Sequence, residues 1–236
     1  MAVSKATQRK FAGVYPAMVT PLNKNLGIDE NGLRYEVDYL IKNGVQGLVA
    51  MGSSGEYPYL TLSEKKKVID IVVEQTKRRV PVIVCPSAMG TDEVIMLSRY
   101  AQRRGADGLM ITLPIYFSLT DKDVFNHYKL IAKAVDLPIL LYDFPFATHF
   151  DFSFELISRL SRIENIVGIK ETGSAEKVLR MSVPSQNGNW SCHVSFQKAV
   201  KSRAAFVSMN LARHFALTIS VTSTSAGANH GGNFFG

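Results

Sequence analysis

"NIVGIKET", Asn165 to Thr172, runs four apolar or small residues into a lysine, with a glutamate and a threonine behind it. In a strand, Ile166, Gly168 and Lys170 would share one face and Val167 and Ile169 the other. A lysine inside a core costs several kcal/mol unless it is neutralised or paired. So either Lys170 emerges into solvent at a strand end, or it is buried for its chemistry. If the β-branched pair faces a layer of helices, Lys170 points into the interior, and Gly168 leaves space beside it.

The stretch is the last of six alike. "GVYPAMVT", "VQGLVAMG", "VPVIVCPS", "DGLMITLP", "LPILLYDF" and "NIVGIKET" begin at residues 13, 45, 80, 107, 137 and 165, spaced 32, 35, 27, 30 and 28 apart. Each is short, near-continuously apolar and rich in Val, Ile and Leu, which is how strands buried on both faces read. Amphipathic segments lie between them. Leu33, Val37, Leu40 and Ile41 form one helical face, with Asp29 to cap its start and Gly44 its end. Thr61 and Glu64 form an S/T-x-x-E capping box ahead of Val68, Ile69, Val72 and Val73. Thr91 and Thr120 are expected to cap later helices, and Gly105 to close one.

Strand–helix units of about 30 residues imply parallel strands. A doubly wound sheet and a (β/α)8 barrel both fit. Neither G-x-G-x-x-G nor a P-loop occurs, and polar residues gather at the strand C-terminal ends, so the α/β class resolves to the (β/α)8 TIM barrel. The units occupy residues 11–183. Beyond Val183 the beat fails, and residues 184–236 read as a divergent tail. "NWSCHVSF" resembles a degraded seventh strand, "ALTISVTSTSAGAN" passes for an eighth, and "SAGANHGGNFFG" reads as loose. The barrel is therefore expected to be incomplete or aberrant at its C-terminal end, through a truncation, a frameshift or an aberrant splice.

Composition narrows the function. Apolar residues make up 46% and charged residues 20% of the 236, an ordinary globular balance. No apolar run approaches the length of a membrane span, and the first residues do not read as a secretory signal. Two cysteines in no CxxC pattern imply a reducing, cytoplasmic setting. The five histidines show no ligand spacing, so neither metal nor cofactor is expected. The net charge of +7 lies mostly on helix faces without interleaved aromatics. That favours an acidic small molecule over nucleic acid.

In a barrel, catalytic groups project from strand C-terminal ends. Those ends offer Thr20, the turn "GSSGE" (Gly52 to Glu56), Tyr116, Tyr142 with Asp143, and Lys170. A desolvated lysine loses its proton more readily, and a neutral amine condenses with a ketone to form an imine. The protonated imine stabilises an adjacent carbanion, as an aldol step requires. Tyr142 suits the proton shuttle. Ser53, Ser54 and the N–H groups of their turn suit a 2-oxo acid's carboxylate. Gly52, Thr20 and Thr172 complete the expected substrate contacts. Each feature has a plainer reading: a solvated lysine tip, a structural turn, core tyrosines. Asp143 and Glu171 read as solvated.

The segments "TPL", "GSSGEYPYLTLSEK", "LPIYF", "LLYDFP" and "GIKET" resemble the signature of the dihydrodipicolinate synthase / N-acetylneuraminate lyase family, over residues 11–183. The resemblance implies a class I pyruvate-dependent aldolase or synthase on a TIM barrel. Lys170 would form the Schiff base and Tyr142 shuttle protons. Ser53 and Ser54 would contact the carboxylate, and Tyr116 would reach a neighbouring subunit's site. A homotetramer that takes a 2-oxo acid follows from the same likeness. Where dihydrodipicolinate synthases carry an arginine five residues after the shuttle tyrosine, this sequence has Ala147, which cannot pair with a carboxylate. Cleavage of 2-oxo-3-deoxy sugar acids or 4-hydroxy-2-oxoglutarate is thus favoured over lysine biosynthesis. A subunit that works only alongside intact relatives is the alternative.

Overall fold

The computed structural model describes residues 11–173 and 177, and the backbone of 191–194 and 218–219. The expected end of the strand–helix pattern at Val183 and the final "SAGANHGGNFFG" lie outside these residues.

The first strand pair is small. β1 (Gly13–Val14) pairs antiparallel with β8 (Thr218–Ile219). Pro16 to Met18 then runs parallel to β2 (Leu48–Ala50): the Met18 N–H donates to the Val49 carbonyl at 2.9 Å, and the Val49 N–H to that of Pro16 at 3.0 Å. From β2 a parallel sheet continues through β3 (Val82–Val84), β4 (Gly108–Thr112), β5 (Ile139–Asp143), β6 (Ile166–Glu171) and β7 (Ser191–Val194), neighbours in sequence being neighbours in space. Every residue of β2 through β6 is buried, as strands covered on both faces must be. This is the wall of the expected (β/α)8 barrel. The segment taken for an eighth strand departs from it. Thr218–Ile219 lies antiparallel on β1, whereas a barrel's closing strand would be parallel.

The helices arise where their caps were legible. α1 (Glu30–Lys42) starts at Asp29, whose carboxylate accepts from the Gly32 N–H, and ends before Gly44 at φ +83°. α2 (Leu62–Thr76) carries the full Thr61–Glu64 capping box, and buries Val68, Ile69 and Val72 along with Ile71. α3 (Thr91–Arg104) corrects the expectation for Thr91. Gly90 is its N-cap, and the Thr91 hydroxyl instead meets His127 Nδ1 at 2.9 Å. α4 (Asp121–Ala134) has a capping box between Thr120 and Asp123. The short α5 (Pro145–Thr148) and α6 (Phe154–Leu160) follow β5. Among the described residues no helix is long and apolar enough to cross a membrane.

Two local features position the site. Tyr15 is fully buried beneath Gly47, where a Cβ would come within 1.9 Å of the ring. The β5–β6 register shifts between Ile139 and Leu140: Ile139 faces Ile166, but Leu140 faces Gly168. This extra residue, a β-bulge, sets Tyr142 level with Lys170; unbroken pairing would have put it opposite Ile169.

Candidate active site

The turn after β2 begins with Met51, buried and held at φ +58°, and ends with Glu56 at φ +56°. Both angles are unfavourable for residues with a side chain, and such strain is kept only where the surroundings enforce it. Between them Ser53–Gly55 forms one 3₁₀ turn. Thr20 braces it by donating its hydroxyl proton to the Gly55 carbonyl at 2.8 Å.

In a flat sheet the ends of β2 and β5, three strands apart, would lie roughly 14 Å from each other. Instead Ser53 Oγ stands 3.5 Å from the Tyr142 hydroxyl, at the long limit of a hydrogen bond. The sheet is curled, and these two groups share its concave side. Lys170 shares it too: its Nζ lies 4.0 Å from the centre of the Tyr142 ring. The lysine is only 7% exposed. Burial pulls its pKa down to about 8, and the nearby Cys85 opposes this only in part.

Tyr142 is pushed the other way. Burial raises its hydroxyl to about 12, the Ser53 contact draws it back somewhat, and Cys85 adds to the rise. It therefore holds its proton at neutral pH. Cys85, at the end of β3, is itself raised to about 12 by burial, so it is a neutral thiol and not a reactive one. Tyr57 is also buried and raised by burial, with Cys85 and Tyr142 adding to the effect. Sequence reasoning passed over Cys85 and Tyr57, because each looks like an ordinary apolar residue until the sheet curls around it. Thr112, opposite Tyr142 on β4, was missed likewise; among the described residues its buried hydroxyl has no hydrogen-bond partner.

The remaining expected residues divide. Ser54 is half-buried in the same turn, and Gly52 is buried beside Cys85 Sγ, 3.9 Å from where a Cβ would stand. Thr20 and Thr172 act as braces. Thr172 donates to the Asp143 carbonyl at 2.8 Å, so neither hydroxyl proton is left over for a substrate carboxylate. Tyr116 is not in the cluster. It is 79% exposed, meets Phe117 edge-on at 4.8 Å, and borders a separate cavity of about 570 Å³ that His127 and Leu130 also line.

Asp143 and Glu171 are not solvated. Both are buried at adjacent strand ends, and the Lys177 ammonium lies between them, paired with Asp143, with Asp151, and with Glu171 at 3.2 Å. Burial raises the Asp143 pKa and the lysine opposes it. These three carboxylates are the group among the described residues with the geometry to hold a metal ion. Lys177 supplies their countercharge.

Comparison with known proteins bears on the family and the fold. Residues 10–191 match the profile of the dihydrodipicolinate synthetase family. Proteins named 4-hydroxy-tetrahydrodipicolinate synthase from Syntrophobacter fumaroxidans and Methanothrix thermoacetophila are each 39% identical, over 71% and 72% of this chain. Those alignments take in 57% and 58% of the relatives' own lengths. A prophage protein of the dihydrodipicolinic acid synthase family from E. coli K12, solved in complex with pyruvate, superposes with a TM-score of 0.75 at 31% identity, over 79% of this chain and 64% of that one. Dihydrodipicolinate synthase from Aquifex aeolicus gives 0.73 at 29%, over 78% and 63%. The chain belongs to the dihydrodipicolinate synthetase family.

Proposed function

We infer that the chain is a Schiff-base-forming lyase that makes or breaks a carbon–carbon bond in pyruvate-derived 2-oxo acids. The state of Lys170 carries this reading. With its pKa near 8, about a tenth of it is neutral at pH 7, against less than one part in a thousand for an ordinary lysine. Its nitrogen attacks the ketone carbon, the carbonyl electron pair moves to oxygen, and loss of water leaves a protonated imine. Tyr142, which holds its proton in the resting site, gives that proton to the departing hydroxide as the imine forms, and in cleavage the resulting phenolate takes the proton of the C4 hydroxyl. The C3–C4 bond breaks, its electron pair flows into the imine, and an aldehyde leaves. Protonation at C3 and hydrolysis then release pyruvate and the amine. Ser53, within 3.5 Å of Tyr142, extends the proton path. The hydroxyls of Ser53 and Ser54 are the donors for the substrate carboxylate.

The name of the curated relatives favours a narrower second reading, condensation of pyruvate with aspartate semialdehyde. Ala147 weighs against it, since the position that would hold the second carboxylate carries a methyl group. The exposed rings of Tyr116 and Phe117 support self-association, and the reaction suits the cytoplasm. Turnover only on mixing with a longer relative would favour the role of an auxiliary subunit.

Incubation with pyruvate and borohydride should leave a stable adduct on the peptide that contains Lys170. An unchanged mass for that peptide, from folded protein, refutes the imine.

A further inference from the structure

The open side of the site along β5 is built from rings. Phe144, half-buried against the core, lies parallel to Tyr142, with 4° between the planes and 5.4 Å between centres. Phe146 follows at 6.3 Å from Phe144 and is 88% exposed. A file of three aromatic rings therefore leads from the ring over which the Lys170 amine sits out to the surface. Phe146 stands on α5, a four-residue helix, next to Ala147. A solvent-exposed phenyl ring on so short a helix presents an apolar face at the outer end of this file.

Among the described residues, this part of the rim is poor in positive charge. Lys170 is consumed in the imine, and Lys177 is held by three carboxylates at the strand ends. Between Pro145 and Phe150 the one titratable side chain is His149. A carboxylate laid against Phe144 and Phe146 would lose hydration and gain no fixed cation from these residues.

Resting on the imine reading above, we propose that Phe144 and Phe146 determine specificity for the aldehyde half of the substrate, selecting an uncharged aldehyde with a planar, apolar body. In the condensing direction the C3 carbon of the pyruvate enamine adds to the aldehyde carbon, and the C=O electron pair moves to oxygen. That oxygen takes from Tyr142 the proton removed from C3 when the enamine formed. Water then hydrolyses the imine, releasing a 4-hydroxy-2-oxo acid and the Lys170 amine. In cleavage the same rings hold the departing aldehyde.

The test compares kcat/KM of the full chain for pyruvate with benzaldehyde, with glyceraldehyde and with glyoxylate. Benzaldehyde should exceed glyoxylate by about tenfold, and the benzaldehyde-to-glyoxylate ratio should fall about fivefold in Phe144→Leu and in Phe146→Ser, the range of one lost ring contact. Phe146→Ser changes an exposed side chain, so it keeps the test readable if Phe144→Leu folds poorly. Glyoxylate equal to or better than benzaldehyde, a ratio unmoved by the variants, or no condensation with any aldehyde overturns the proposal. Borohydride trapping of the unaltered chain with pyruvate alone separates the two levels. No adduct defeats the imine reading and the proposal with it, whereas an adduct without the aldehyde preference defeats the proposal alone.

Discussion

The amine of Lys170 is kept weakly basic by its burial at the end of β6, which outweighs the opposing effect of Cys85. The carboxylates that directly follow the two site residues, Asp143 and Glu171, alternate to the other side of their strands, where Lys177 holds them. Two outcomes follow at this scale. Lys170→Met should abolish the borohydride adduct yet raise thermal stability, because a buried cation gives way to an apolar chain of similar length. Differential scanning calorimetry beside the trapping assay reads both. The rate of adduct formation should climb about tenfold per pH unit toward about 8 and then level off, since the attacking form is the neutral amine and its pKa is lowered to that value. A profile that keeps rising to pH 10 would show an ordinary, hydrated lysine.

Elements meet in ways that single residues control. Gly47 admits the Tyr15 ring where β2 begins, so Gly47→Ala should cost about 1–3 kcal/mol by overpacking, visible as a lower urea midpoint. Lys177→Met would strand two buried carboxylates at the ends of β5 and β6, at a cost of about 3–5 kcal/mol. The raised pKa of Asp143 fixes the sign. A carboxyl that prefers its neutral form in the folded state loses stability as pH rises, so the deficit should shrink on acidification. His127 works in the opposite sense between α3 and α4. Burial lowers its pKa to about 4, below the unfolded value of about 6.5. Its contribution is complete above the unfolded pKa and is lost as pH falls from there to about 4, a loss of roughly 3 kcal/mol at most. His127→Asn should flatten that part of the stability curve, measured by urea unfolding at successive pH values. The caps at Asp29, Thr61 and Thr120 were legible from sequence, because a cap is a contact between residues three apart. The role of Thr91 was not, since its partner lies on another helix, 36 residues on.

At the scale of the molecule, Tyr116 and Phe117 stand in solvent at 79% and 73% exposure beside a cavity of about 570 Å³, and large exposed apolar faces mark contact surfaces. Light scattering should therefore show self-association, weakened by Tyr116→Ser with Phe117→Ser.

Local rules wrote the strand–helix beat, the parallel order of the sheet and the identity of Lys170, Tyr142 and the Ser53–Ser54 turn as candidates, because alternation, caps and turn residues act over a few positions. Sequence alone did not reveal that Thr20 and Thr172 spend their hydroxyl protons on backbone carbonyls, or that Asp143 and Glu171 are buried around Lys177. Nor did it reveal that Cys85 lies near the Lys170 amine, or that Tyr57 lies near Cys85 and Tyr142. Those facts depend on the curl of the sheet and on one extra residue in the β5–β6 register, which bring together groups up to about ninety residues apart. Distances of that kind are set by how the whole wall curls, and no short stretch of chain encodes them.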